Sequence, residues 1–355
     1  MAVSAAFWAG RRVLLSGHTG FKGGWLALWL QELGAEVFGY ALPAPEAPSL
    51  WQVARLAERV PGTLADIRDA QRVADAVAAF RPDIVLHLAA QPLVRESYRA
   101  PADTYATNVM GTLNLLEAVR ATPSVRGVLV VTTDKCYENH EWVWPYRESD
   151  ALGGFDPYSN SKACVELICA SYRDSFFRAT GVALATARAG NVLGGGDWSP
   201  ERLIPDIFRA WQEGREVTLR YPHATRPWQH VLDPLMGYLQ LAQGLLIDPE
   251  HHASAWNFGP DSAGVATVGD IVRQLAERWP GEARWSVSPD SQPHEASLLA
   301  LDSSKARQLL GWSPRWSLDA TLQHTLDWQL AWQNGRDMHT VTREQIAVHQ
   351  GETNE

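Results

Sequence analysis

Tyr158 and Lys162, in the stretch Y-S-N-S-K, stand four residues apart at the head of a predicted helix preceded by Asp156-Pro157. Residues so spaced share a helix face, so the ammonium lies beside the phenol and is expected to lower its pKa by favouring the phenolate. A phenol tuned in this way can take a proton from a hydroxyl while hydride leaves the same carbon. A solvated Tyr/Lys pair has the same spacing, and short patterns recur by chance. A second group stands in V-V-T-T-D-K-C-Y, Val130 to Tyr137, where an apolar strand runs into polar residues at its carboxyl end. Open α/β sheets bind their ligands at that end. Thr133, Asp134 and Lys135 are therefore candidate catalytic residues, with Thr133 suited to hold a hydroxyl; an ordinary strand exit with a surface Asp-Lys pair is the alternative.

A third group is L-L-S-G-H-T-G-F-K-G-G-W, in which Gly17, Gly20 and Gly23 follow the spacing G-x-x-G-x-x-G between an apolar strand and an amphipathic helix. Glycines there permit a tight turn and let backbone N–H groups approach a pyrophosphate closely. Alone the pattern is more often a turn; its place after the first strand favours a dinucleotide. Lys22 supplies a positive charge inside the turn. The usual acidic partner, about 20 residues further on, is missing: Tyr40, Ala41 and Leu42 stand there, and Glu46 is the first nearby carboxylate. NAD and NADP both stay open on that evidence. H-L-A-A-Q-P, His87 to Pro92, is a strand end of small residues suited to close approach by a cofactor, and equally to simple helix packing.

These groups need elements to position them. Apolar runs of strand length occur at 12–17, 36–42, 83–90, 127–133 and 183–192, and between them apolar residues recur every three to four positions. Strands apolar on both faces and joined by helices predict a doubly wound parallel α/β sheet. After about Asn191 that rhythm stops. The expected organisation is a dinucleotide-binding unit of 1–192 with roughly 231–260, and a smaller mixed α/β unit of 193–230 and 261–335. A-W-N-F-G-P (255–260) is expected to return to the main sheet, and the polar tail of 336–355 to fray.

The chain has 355 residues, 46% of them hydrophobic, and a formal net charge of −9, so it offers no basic stripe to a nucleic acid. No segment reaches the ~18 uninterrupted apolar residues of a membrane span. Cys136, Cys164 and Cys169 show no paired ligand spacing and read as reduced thiols, hence a cytoplasmic protein. His294 and Glu295 are adjacent and have no companion ligands, so no metal is assigned. The tryptophans, among them Trp25, Trp29, Trp198, Trp228 and Trp312, are expected mainly as core anchors.

Taken together, the glycine turn, the T-D-K strand end and Y-x-x-x-K resemble an extended short-chain dehydrogenase/reductase of the nucleotide-sugar class, from Arg12 to about Trp328. Within that class S-G-H-T-G-F-K-G-G-W-L-A-L-W-L, T-T-D-K-C-Y-E-N, R-A-G-N-V-L-G-G-G-D-W, P-H-E-A and L-A-L-D-S-S-K-A are similar to the members that dehydrate CDP-glucose. Lys135 stands where relatives acting on dTDP- and GDP-sugars usually carry glutamate. The resemblance implies a Rossmann fold, bound NAD and a homodimer or dimer of dimers. It implies that Tyr158, helped by Lys162 and Thr133, takes the C4 hydroxyl proton, that Lys135 is the base at C5, and that Asp134 protonates the departing C6 hydroxyl. Gly17, Thr19, Gly20, Phe21, Lys22 and Gly23 would cradle the pyrophosphate, Asp66 and Ile67 flank adenine, and Leu88, Ala89 and Ala90 border the ribose. Asn191, Arg226 and, more weakly, Arg220 would hold the substrate diphosphate. In S-Q-P-H-E-A, Gln292 departs from the basic residue that many relatives carry.

Overall fold

The structure is a computed structural model that describes residues 2–44, 48–261, 264–288 and 298–351. Its strands are β1 (Arg12–Ser16), β2 (Glu36–Ala41), β3 (Gly62–Leu64), β4 (Ile84–His87), β5 (Gly127–Val131), β6 (Ala183–Ala189), β7 (Asn191–Leu193), β8 (Val217–Leu219), β9 (Thr225–His230), β10 (Ala255–Phe258), β11 (Val265–Thr267) and β12 (Trp285–Val287). Seven of them form one parallel sheet in the order β10-β6-β5-β4-β1-β2-β3. Every residue of β4, β5 and β6 is buried, because helices cover both faces. One apolar cluster lies on each side: Trp25, Leu28, Leu239 and Trp256 on one, and Val77, Leu116, Val165 and Phe177 on the other.

The chain winds outward from β1 to β3 and then crosses back to β4. Strand order therefore reverses between β1 and β4, and the crevice above their carboxyl ends is where such sheets hold ligands. The Ala255–Phe258 segment does return to this sheet, as β10 beside β6. β3 was not legible as an apolar run, since its three residues, Gly-Thr-Leu, are not buried. A three-stranded sheet, β11-β9-β7, and the β12-β8 pair stand over one end of the crevice. They pack on a third apolar cluster that includes Ile207, Phe208, Trp228 and Leu326.

Two expectations are corrected. The tail does not fray over its described residues: Met338–Gln350 is a helix that packs on the Phe21–Glu32 and Leu318–Gln333 helices. His349 lies at its buried end, with Nε2 2.9 Å from Asp233 Oδ1. For the same reason the Phe21–Glu32 helix is not amphipathic. Its residues Gly23 to Leu30 are all buried, because the C-terminal helix covers the face that a four-residue spacing alone would leave to water. Trp25, Trp29, Trp228 and Trp312 are buried as expected, and the indoles of Trp25, Trp228 and Trp312 donate to the carbonyls of Gly195, Ala266 and Asp233.

Candidate active site

β1 ends in a turn that the glycines make possible. Gly17 has φ +77°, and a Cβ there would lie 2.7 Å from Ala89 N; a Cβ on Gly23 would lie 2.0 Å from Gly17 O. The turn, the β4 exit and the first helical turn are thus in backbone contact, which no residue with a side chain at these two positions permits. The Phe21–Glu32 helix begins with Gly20 as N-cap, without a side-chain cap and without an acidic residue in its first turn. Its N–H groups and positive dipole end are left for an anion. A tight cradle with an uncapped helix start fits a dinucleotide pyrophosphate.

Around the cradle, Thr19 Oγ1 donates to Leu42 O at 2.9 Å. Tyr40 fills the end of β2 and donates from its hydroxyl to Asp66 O at 2.9 Å. The phenol that replaces the usual acidic residue therefore braces the loop that carries Asp66 and Ile67. The Asp66 carboxylate is held below the ordinary range, chiefly by hydrogen bonds from Arg68. Leu88 N and Ala89 N both donate to Ser16 Oγ, at 3.0 and 3.2 Å, which ties the β4 exit to the end of β1.

The acid/base residues leave the sheet at β5. Thr133 caps a 3₁₀ turn, Asp134–Cys136: its Oγ1 accepts from Lys135 N at 3.3 Å and donates to Asp134 Oδ1 at 3.0 Å. Asp134 is buried, and its Oδ2 finds no partner among the described residues. It lies 3.0 Å from where a Cβ on Gly190 would stand, so the glycine of R-A-G-N-V makes room for the carboxylate. Lys135 follows on the same turn and lines the cleft.

Tyr158 and Lys162 lie in the first turns of the Pro157–Tyr172 helix, which Asp156 caps by accepting from Ser159 N at 2.9 Å. Both side chains are buried. The phenol is pushed up to about 12, mainly by burial, while a hydrogen bond with Thr133 and the charge of Arg202 pull it back. Lys162 stands one turn further along the same helix. Its Nζ donates to Val131 O at 3.0 Å, and burial pushes its pKa down to about 8 against the pull of Glu166. Lys22 is likewise pushed down to about 8, by burial first and then by the positive charge of Arg202, with Asp134 opposing.

Asn191 opens β7, in register with Trp228 of β9. Arg226, on β9, is buried and donates to Thr225 O at 3.0 Å. Arg220 follows β8. One cleft of about 1170 Å³ gathers the glycine turn, the Asp66-Ile67 loop, the Leu88–Ala90 exit, Thr133 to Lys135, Tyr158, Lys162, Asn191, Arg220 and Arg226. Its wall also holds Arg202, which is paired with Asp197 at 2.8 Å and which sequence reasoning missed. Its motif neighbours G-G-G-D-W were visible, but nothing local said that Arg202 faces the phenol. The S-Q-P-H-E-A segment with Gln292, His294 and Glu295, and Glu46, lie outside the described residues. Among the described residues no group of His, Cys, Asp or Glu has a metal-binding arrangement, and no helix is long and apolar enough to cross a membrane.

The family model described as GDP-mannose 4,6 dehydratase matches residues 14–325. The chain is 49% identical over 352 residues to the CDP-glucose 4,6-dehydratase of Salmonella typhimurium strain LT2, covering 98% of each chain. It is 28% identical over 283 residues to a dTDP-glucose 4,6-dehydratase of Xanthomonas campestris pv. campestris, covering 75% of this chain and 77% of that one. Among solved structures, its fold is similar to the NAD-bound dTDP-glucose 4,6-dehydratase of Streptomyces venezuelae, with a TM-score of 0.79 and 24% identity over 92% of this chain and 99% of that one. The match over residues 14–325, with the glycine turn, T-D-K and Y-x-x-x-K in one cleft, places the chain in the GDP-mannose 4,6 dehydratase family, among the nucleotide-sugar members of the extended short-chain dehydrogenase/reductases.

Proposed function

We propose that the chain is an NAD-dependent hydro-lyase that converts CDP-D-glucose into CDP-4-dehydro-6-deoxy-D-glucose. The observation that carries this reading is the acid/base pair Asp134-Lys135 standing on the turn next to Thr133, in the same cleft as Tyr158. Oxidation at C4 alone needs a proton acceptor for one hydroxyl. Elimination of water across C5 and C6 needs a second base and an acid as well, and these two residues supply them. The 49% identity to the Salmonella typhimurium enzyme over 98% of each chain supports CDP-glucose as the substrate.

NAD, when bound, would supply the acceptor for the hydride leaving C4 and the donor that returns it to C6, with C5 taking a proton back from Lys135 in that last stage. Tyr158 Oη takes the C4 hydroxyl proton, and Thr133 and Arg202 favour the phenolate that does so. The 4-ketone acidifies the C5 hydrogen, which Lys135 removes. Asp134, through its unpartnered Oδ2, protonates the C6 oxygen as water departs. Asn191, Arg220 and Arg226 bind the diphosphate; the planar guanidinium can pair two phosphate oxygens at once. Lys22 and the uncapped helix start hold the cofactor pyrophosphate.

The helices at 101–120 and 157–172 present Met110 and Leu167 to solvent, 49% and 59% exposed, which supports a homodimer formed through them. The free thiols Cys136, Cys164 and Cys169 support a cytoplasmic site. Incubation of the purified protein with CDP-glucose tests the activity: the base-labile 4-keto product develops a near-ultraviolet absorbance. No product from CDP-glucose together with turnover of another nucleotide sugar overturns the substrate assignment.

A further inference from the structure

Behind the cleft, under the acid/base turn, lies a buried ion pair that the reaction as described does not use. Glu166 and Arg188 are 2.9 Å apart, with both side chains 3% exposed. Glu166 sits on the Pro157–Tyr172 helix, one turn beyond Lys162, and accepts from Thr132 Oγ1, from Thr186 Oγ1 at 2.6 Å and from Arg188. Arg188, from β6, donates to Tyr137 Oη at 2.7 Å, and that phenol donates on to Asn257 Oδ1 of β10 at 2.7 Å. The guanidinium also lies over the Tyr137 ring, 4.9 Å from its centre.

Thr132 and Tyr137 are the two ends of the segment that carries Thr133, Asp134 and Lys135. One end is tied to the anion of the pair and the other to the cation. Three sheet strands and the helix bearing Tyr158 thus meet at a single point beneath the turn. A buried ion pair adds little net stability over apolar packing of the same volume, because both charges lose their water. What a pair hydrogen-bonded on both sides does supply is a single geometry; here both guanidinium NH2 groups and both carboxylate oxygens are engaged, and Arg188 Nε alone has no partner among the described residues. Acid/base catalysis is sensitive to that geometry, since a displacement of about 1 Å can cost about 100-fold in rate.

We propose that Glu166 and Arg188 are positioning residues for the elimination step, holding Thr132 and Tyr137 so that Asp134 and Lys135 keep a fixed aim into the cleft. This rests on the dehydratase reading for its catalytic consequence, but not for its structural one. The structural consequence is read at Cys136, the last residue of the turn, which is buried. A loosened turn exposes it by local opening, whereas Cys169, buried further along the helix, serves as an internal control.

The test uses the full chain and two variants that each remove one hydroxyl, Tyr137→Phe and Thr132→Val. With CDP-glucose, each is expected to lower kcat about 10- to 100-fold with KM little changed. The absorbance of reduced cofactor should build up during turnover, because the C4 step at Tyr158 continues while elimination lags. Peptide-resolved thiol labelling should show Cys136 reacting about 10-fold faster or more in either variant, with Cys169 unchanged. Wild-type kcat and a protected Cys136 in both variants overturn the proposal. If the wild-type protein itself does not dehydrate CDP-glucose, the functional reading fails; faster Cys136 labelling then still supports the positioning role, and unchanged labelling rejects it.

Discussion

Lys162 Nζ donates to the carbonyl oxygen of Val131 at 3.0 Å, so the lysine that shares a helix face with Tyr158 is anchored to the end of β5. Burial drives its pKa down to about 8. A lysine with a lowered folded-state pKa binds fewer protons in the native than in the unfolded chain between that value and its ordinary one. It therefore costs stability below pH 8, and the cost is relieved as pH rises through 8 to 10.5. Lys162→Met is expected to abolish turnover yet raise unfolding stability at pH 7 by on the order of 1–2 kcal/mol, after allowing for the lost hydrogen bond. Urea unfolding checks this, and a destabilised variant contradicts it.

Lys22 offers its charge to the cofactor pyrophosphate only while protonated, and its pKa is pushed down to about 8. Dinucleotide affinity is expected to weaken as pH rises above 8, and the variant Lys22→Met to bind more weakly at pH 7 with that dependence gone. Equilibrium titration of cofactor binding across pH measures both. An anion bound beside Lys22 raises its pKa, so the break in the wild-type curve for the bound form should lie on the alkaline side of 8.

The glycines of the turn are not equivalent. A Cβ on Gly23 would lie 2.0 Å from Gly17 O, whereas on Gly20 the nearest atom is 3.4 Å away and φ is negative. Gly23→Ala is expected to cost about 1–3 kcal/mol of stability by overpacking and to lose copurified NAD. Gly20→Ala should fold, losing no more than about 1 kcal/mol for the poorer N-cap. Thermal unfolding together with cofactor content distinguishes the two.

Lys135 and Asp134 divide the elimination between them. Lys135→Met is expected to suppress exchange of the C5 hydrogen with deuterated solvent by about 100- to 10,000-fold while C4 oxidation persists, seen as reduced cofactor. Asp134→Asn should retain C5 exchange and block loss of the C6 hydroxyl. Retained C5 exchange in Lys135→Met removes the lysine from that role.

His349 and Asp233 are both fully buried, 2.9 Å apart. His349→Ala leaves the Asp233 carboxylate with the Arg315 N–H as its remaining donor among the described residues. A loss of about 1–3 kcal/mol is expected, the cost of removing a hydrogen-bond partner from a buried polar group. Truncation before Met338 should destabilise further, since it also uncovers Trp29. Guanidinium unfolding reads both.

The parts of the site that chain neighbours position were legible in the residues. G-x-x-G-x-x-G, T-T-D-K and Y-x-x-x-K each lie within one turn or one helix start, so the short-range geometry that makes them useful is written in their spacing. The parallel sheet was legible for the same reason, as apolar runs long enough to be strands and apolar on both faces. By contrast, β3 shows no apolar run because neither of its faces is buried.

Tertiary structure decided how those local pieces act on one another. Spacing put Lys162 on the helix face of Tyr158; the carbonyl of Val131 anchors the lysine, and burial raises the phenol. Arg202 was brought into the cleft that holds the phenol, and Glu166 and Arg188 met beneath the acid/base turn from a helix and a strand distant in the chain. The polar tail became a helix because Asp233 and the outer face of the Phe21–Glu32 helix supplied the burial its own sequence lacked. Spacing along the chain determines which side chains share a turn; desolvation and charge depend on everything folded around them, and only the packed molecule contains that.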